Sequence, residues 1–150
     1  MEWTGGCLCG AVKYRATGEP IDVASCHCIN CRKMSGAAFA TFAVFKPEQF
    51  DWVQGELGTY AATPDLVRGF CRDCGGPVSC WRESERDKWI IAWAGSLDQA
   101  EQLKPLHHIY AKDELPWLHL EDGLKRHEMF PTDVLKSLGL NSPARDEQMK

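Results

Sequence analysis

The chain has 150 residues, 44% of them hydrophobic and 25% charged, which is ordinary globular composition and argues against an intrinsically disordered chain. A chain of this length buries roughly 70% of its unfolded surface in one core. Its net charge is −4, so no basic excess points to nucleic acid or to an anionic membrane as a partner. The stretch after Met1 has no apolar h-region, and the longest apolar run, 37–45, is too short to span a bilayer, so the expected setting is cytoplasmic, with reduced thiols.

The predicted elements are short. Residues 11–15 alternate after Gly10 as a half-buried strand, and 30–35 has room for a turn or two of helix stopped by Gly36. Residues 37–45 read as a strand carrying Phe39, Phe42 and Phe45. Strands at 57–62 and 66–70 flank the turn signal Thr63-Pro64-Asp65. Strands at 77–81 and 89–93 follow, the second with Trp89, Ile91 and Trp93 on one face. The last predicted strand is 107–111, where alternation lets only one of His107 and His108 face inward, in a surface or satisfied-core role. Residues 132–138 predict a short C-terminal helix: Pro131 precedes it, Val134, Leu135 and Leu138 share a face, and Gly139 stops it. The polar tail 141–150 leaves 1–140 as one mainly β domain. Trp81, Trp89, Trp93 and Trp117 are expected in its core.

Eight cysteines carry the chemistry, and seven fall in three blocks: Cys7 and Cys9 in CLCG, Cys26, Cys28 and Cys31 in SCHCINC, and Cys71 and Cys74 in FCRDCGG. Tetrahedral zinc, with Zn–S of about 2.3 Å, needs sulfurs about 3.8 Å apart. Two intervening residues allow that at Cys71 and Cys74, and Gly75 permits the positive φ that closes the turn. A thioredoxin-like redox pair would need a helix there, and Gly75-Gly76-Pro77 is poor helix sequence. Structural zinc takes four ligands, and CLCG is the natural complement. Joining Cys9 to Cys71 closes a long loop at an entropic cost on the order of 3–4 kcal/mol, against roughly 10–16 kcal/mol for structural zinc in finger peptides. Cys7, Cys9, Cys71 and Cys74 are therefore read as a closed structural site.

Cys26, Cys28 and Cys31 form instead a tripod with an open fourth position, the pattern of catalytic zinc. A fourth ligand from Cys80 or His27 would make this site structural too. His27 is wedged between two ligands, so its ring is expected to point away, and Cys80 in PVSCW reads as a small buried apolar residue. Three thiolates make a zinc ion electron-rich, a weak acidifier of water and better suited to holding a nucleophilic thiolate. No HExxH, GxSxG, glycine-rich phosphate loop or HxE…PCxxC pattern is present. Arg32, Lys33 and Arg72 flank the cysteines, either as ordinary solvated charge or as contacts for substrate carboxylates.

The blocks CLCGAVKY, SCHCINCRKMSGAAFATF and RGFCRDCGGPV, with LPWLHLEDGL further on, resemble the glutathione-dependent formaldehyde-activating enzyme (GFA) domain, which also occurs in centromere protein V. The resemblance runs from Gly5 to about Gly123. It implies an Mss4-like β-tent with two zinc sites, structural at Cys7, Cys9, Cys71 and Cys74 and catalytic at Cys26, Cys28 and Cys31. The activity it implies is a zinc-dependent carbon–sulfur lyase acting on a small thiol adduct such as S-hydroxymethylglutathione, the product of glutathione and formaldehyde. The alternative is a non-enzymatic zinc-binding Mss4-like interaction module. The partner expected is a small thiol, with oligomeric state left open.

Overall fold

The structure, a computed structural model, describes residues 1–137 and 139. The 141–150 tail and Leu138 lie outside the described residues. The chain runs through Glu2–Gly6 (β1), Lys13–Thr17 (β2), Asp22–Cys26 (β3), the helix Ile29–Ser35 (α1), Ala40–Phe45 (β4), Phe50–Gln54 (β5), Leu57–Ala61 (β6), Leu66–Cys71 (β7), Pro77–Arg82 (β8), Ile90–Trp93 (β9), His107–Ile109 (β10), Lys125–Arg126 (β11) and the helix Thr132–Ser137 (α2). Single turns of 3-10 helix join several of them.

Two sheets result. The smaller is ordered β1-β2-β5 and the larger β11-β10-β3-β4-β9-β8-β7-β6. Pairing is antiparallel except where β10 runs parallel to β3 and to β11. Outside the named strands, an isolated bridge from Gly5 to Leu97 links the small sheet to the segment after β9.

Alternation sorts the large sheet into two cores. Val23, Ala43, Phe45 and Ala92 point to one face and pack with Trp3, Tyr14, Ala16 and Phe50 of the small sheet. Ala24, Cys26, Phe42, Val44, Cys80 and Trp93 point to the other, with Met34 of α1 and with Met129 and Phe130 packed against them. A sheet covered on both faces has no solvent side, which is why β3 is buried along its whole length. Phe45 has no solvent exposure, and burying a side chain of that size contributes roughly 1.5–3 kcal/mol.

The sequence pattern predicts this mainly β architecture with its short C-terminal helix, and the two sheets are consistent with the Mss4-like fold that the family resemblance implies. The differences are local. Strands β1, β3, β5 and β11 go unpredicted; β1 ends in two glycines, and β3 lies in a cysteine block that masks its apolar pattern. The strand predicted at 107–111 stops at Ile109, because Tyr110 adopts a left-handed conformation at φ 55°. Both His107 and His108 are buried, since each face of β10 is covered. Trp81, Trp89 and Trp93 are buried as expected, whereas Trp117 is 66% exposed.

Candidate metal centres

The four-cysteine cluster sits where the two sheets meet. Cys7 and Cys9 follow β1 in the small sheet, and Cys71 and Cys74 end β7 and enter the turn to β8 in the large one. The two segments turn alike. The Gly10 amide donates to the Cys7 carbonyl at 3.1 Å, and the Gly75 amide to the Cys71 carbonyl at 2.9 Å. Both glycines take positive φ, 78° and 72°, as the turns require. The four sulfurs lie within 4.8 Å of one another, with Cys7–Cys9 at 3.6 Å and Cys9–Cys71 at 3.7 Å. Those separations match the tetrahedral edge of about 3.8 Å, so the donor set fits a thiolate-binding cation. Burial opposes ionisation of Cys7, but the Val12 amide and the neighbouring thiols outweigh it and hold the thiol at about 6. At Cys9 the Ala11 amide favours the thiolate, yet hydrogen bonding with Cys7 and burial push it to about 12. Close thiols share charge in this way until a cation balances them.

The three-cysteine cluster lies within the large sheet alone. Cys26 ends β3. Cys28 is the N-cap of α1, its Sγ accepting from the Cys31 amide at 3.4 Å. Cys31 sits in the first turn, so a CxxC spacing places both thiols on one side of the helix start. The three sulfurs lie within 4.8 Å of one another, and the residues are 3%, 5% and 7% exposed. Hydrogen bonds with Cys26 and Cys31 draw the Cys28 thiol down to about 3. Cys26 is pushed well above the thiol range, first by hydrogen bonding with Cys28. At Cys31 a hydrogen bond with Cys26 favours the thiolate, but Cys28 and burial outweigh it and raise the thiol. Three buried sulfurs that can ionise together only beside a cation also fit a metal.

Neither proposed fourth ligand joins this cluster, among the described residues. Strand alternation sends His27 to the opposite side from Cys26. There Nε2 of His27 meets Nδ1 of His108 at 2.8 Å, and Nε2 of His108 meets Asp122 Oδ2 at 2.7 Å. A carboxylate can only accept, so Nε2 of His108 donates to Asp122. Nδ1 of His27 is buried without a partner. His107 is held by the buried carboxylate of Asp22 at 3.0 Å. His108, which with His107 was expected as a surface or satisfied-core group, ties β10 and the loop bearing Asp122 to the turn that carries the thiols, whereas His107 ties β10 to the start of β3. Cys80 is buried, its thiol raised to about 11 by burial.

Of the flanking cations, Arg72 and Lys33 are exposed, and Nε of Arg32 is buried without a partner. Arg68 was not singled out from the sequence. Its position in β7, opposite Cys80 in β8, sets it on the face that carries the three-cysteine cluster. The only sequence signal is a lone cation in the apolar strand LVRGF.

Fold and clusters together define a mainly β domain with two cysteine centres fit to hold metal. The sequence model of the glutathione-dependent formaldehyde-activating enzyme (GFA) family matches residues 2–113, and the chain belongs to that family. It is 33% identical over 94 residues, 61% of this chain and 67% of the other, to a Schizosaccharomyces pombe protein named as an uncharacterized lyase. A solved Rhodobacter sphaeroides protein is similar at 22% identity, covering 82% of this chain and 97% of its own, with a TM-score of 0.48. No helix among the described residues is long and apolar enough to cross a membrane.

Proposed function

We propose that this protein is a two-zinc carbon–sulfur lyase of the GFA type, acting on the adduct of a small thiol and formaldehyde, with glutathione as the first thiol to test. The observation that carries the reading is the buried three-sulfur cluster, which no fourth protein ligand closes among the described residues. Cys7, Cys9, Cys71 and Cys74 would hold a structural ion, and Cys26, Cys28 and Cys31 the catalytic one. A zinc ion held by three thiolates lowers the pKa of a bound thiol and keeps it nucleophilic.

The chain's own contribution is placement and exclusion. The N-cap bond of Cys28 and the pairing of β3 with β4 and β10 fix the three sulfurs before substrate arrives. Burial among Phe42, Trp93 and Ile109 keeps water from competing for the same position. In the forward direction the substrate sulfur bonds to the formaldehyde carbon, and the thiol proton ends on the former carbonyl oxygen. The lyase direction breaks that C–S bond and returns the proton to sulfur.

NMR exchange spectroscopy of glutathione with formaldehyde tests the reaction. Zinc-loaded protein should speed the interconversion with S-hydroxymethylglutathione beyond the spontaneous rate. No acceleration rejects this activity and favours a zinc module that binds a partner without chemistry.

A further inference from the structure

A cavity of about 430 Å³ opens between α1 and the β6–β7 edge, within the usual range for a small-ligand site. Its lining includes Lys33, Arg68 and Trp93 and no acidic side chain. Arg68 lies over the Trp93 ring, with the guanidinium carbon 5.8 Å from the ring centroid. Nη1 of Arg68 is buried without a hydrogen-bond partner, and so is Nε1 of Trp93. Among the described residues Arg68 forms no ion pair, although Arg15, Arg82, Arg86 and Arg126 each do. The charge of Arg68 acts on Cys31 and Cys80, but a buried donor without an acceptor is costly, and Nη1 is left to donate to an acceptor from outside the chain. Trp93 and Cys80, the cross-strand neighbour of Arg68, share a core with the three cysteines. A ligand held at Arg68 therefore sits beside the thiol-handling site.

We propose that Arg68 recognises a carboxylate in this cavity, making the substrate a small mercaptocarboxylate. The planar guanidinium offers paired donors to the two oxygens, and Lys33 at the rim adds a second positive charge. The Trp93 ring holds the guanidinium from its other side. The proposal rests on the three-cysteine cluster being a thiol site.

The test compares three probes on the zinc-loaded full chain by calorimetry: 3-mercaptopropionate, 2-mercaptoethanol and 3-(methylthio)propionate. One charge-assisted contact predicts a preference of about 10- to 100-fold for 3-mercaptopropionate over 2-mercaptoethanol. Arg68→Gln should shrink that preference to under about threefold. Arg68→Lys should keep part of it, since charge remains and the fork is lost. Equal binding of the two thiols by the wild type, or an unaltered preference in Arg68→Gln, overturns the proposal. If Arg68→Gln fails to fold, wild-type protein decides: 3-(methylthio)propionate must shift the Arg68 guanidinium NMR resonances, and no shift overturns the assignment. Arg68-dependent binding of 3-(methylthio)propionate with no gain from a free thiol supports the subsite and rejects the thiol reading. Thiol binding that ignores Arg68 does the reverse.

Discussion

The two cysteine clusters differ in what they join and in how deep they lie. The four-cysteine cluster links residues 62 positions apart, between two sheets that share little backbone hydrogen bonding. The three-cysteine cluster spans six residues and joins a strand to the helix that follows it. Depth runs against the simplest expectation. The cluster read as structural is partly exposed at Cys9 and Cys74, and the cluster read as catalytic is buried at all three residues. A cross-link resists unfolding through the separation of the segments it ties, so it works at the surface as well as in a core. A site that must keep a nucleophile reactive gains from losing water. Depth therefore follows the task proposed for each cluster.

That contrast can be broken first at the four-cysteine cluster. Cys74→Ser should lower the stability of metal-loaded protein by at least about 3 kcal/mol in urea unfolding, because the small sheet loses its staple. Cys28→Ser should cost only about 1–2 kcal/mol, since α1 stays packed through Met34 and serine still caps a helix. Its effect on the exchange reaction should exceed the roughly 10- to 100-fold seen for changes outside the ligand shell. Equal unfolding penalties for the two variants remove the division of labour. Graded chelation sharpens the same point. Of two zinc equivalents, the one on three thiolates should leave first, with activity lost and circular dichroism unchanged until the second departs. Loss of the β signal with the first equivalent reverses the order.

Legibility in the sequence follows the same division. The grouping of the cysteines into a set of four and a set of three was legible from their spacing together with the family resemblance, because CxxC and CxC blocks impose local turns whatever surrounds them. The strand with plain alternation, β2, was legible for the same reason, and β4 and β7 were legible as apolar runs bounded by turn signals. What escaped was set by tertiary cover. β3 shows no alternation because both of its faces are buried, and His107 and His108 are both interior because β10 is covered on each side. Arg68 escaped because its significance lies in a buried donor without a hydrogen-bond acceptor, and a missing acceptor leaves no mark in sequence. Trp117 was misplaced by treating size as a warrant for burial, although a single exposed tryptophan is within normal surface composition.

The smallest predicted effect concerns the support behind the buried cluster. Asp122 accepts from His108, and that hydrogen bond first, then the Leu124 amide, holds its carboxyl below the ordinary value. A carboxyl depressed on folding stabilises the native state above its unfolded value near 3.9, and the contribution is lost as pH falls through the lower folded value. The side chain is 36% exposed, so solvent screening limits the contribution to about 0.5–1 kcal/mol. Asp122→Asn keeps an oxygen to accept from His108 and removes only the charge. The variant should therefore be less stable by that amount at pH 7, with the gap closing below about pH 4. Because the Asp122–His108–His27 chain reaches only the turn of the three-cysteine cluster, the loss should be local. Hydrogen exchange at the His27 and Cys28 amides should speed by about two- to fivefold, and exchange at Cys7 and Cys71 should not change. Equal acceleration at all four amides would mean that the histidine chain supports the whole domain, and the two clusters would not be independent.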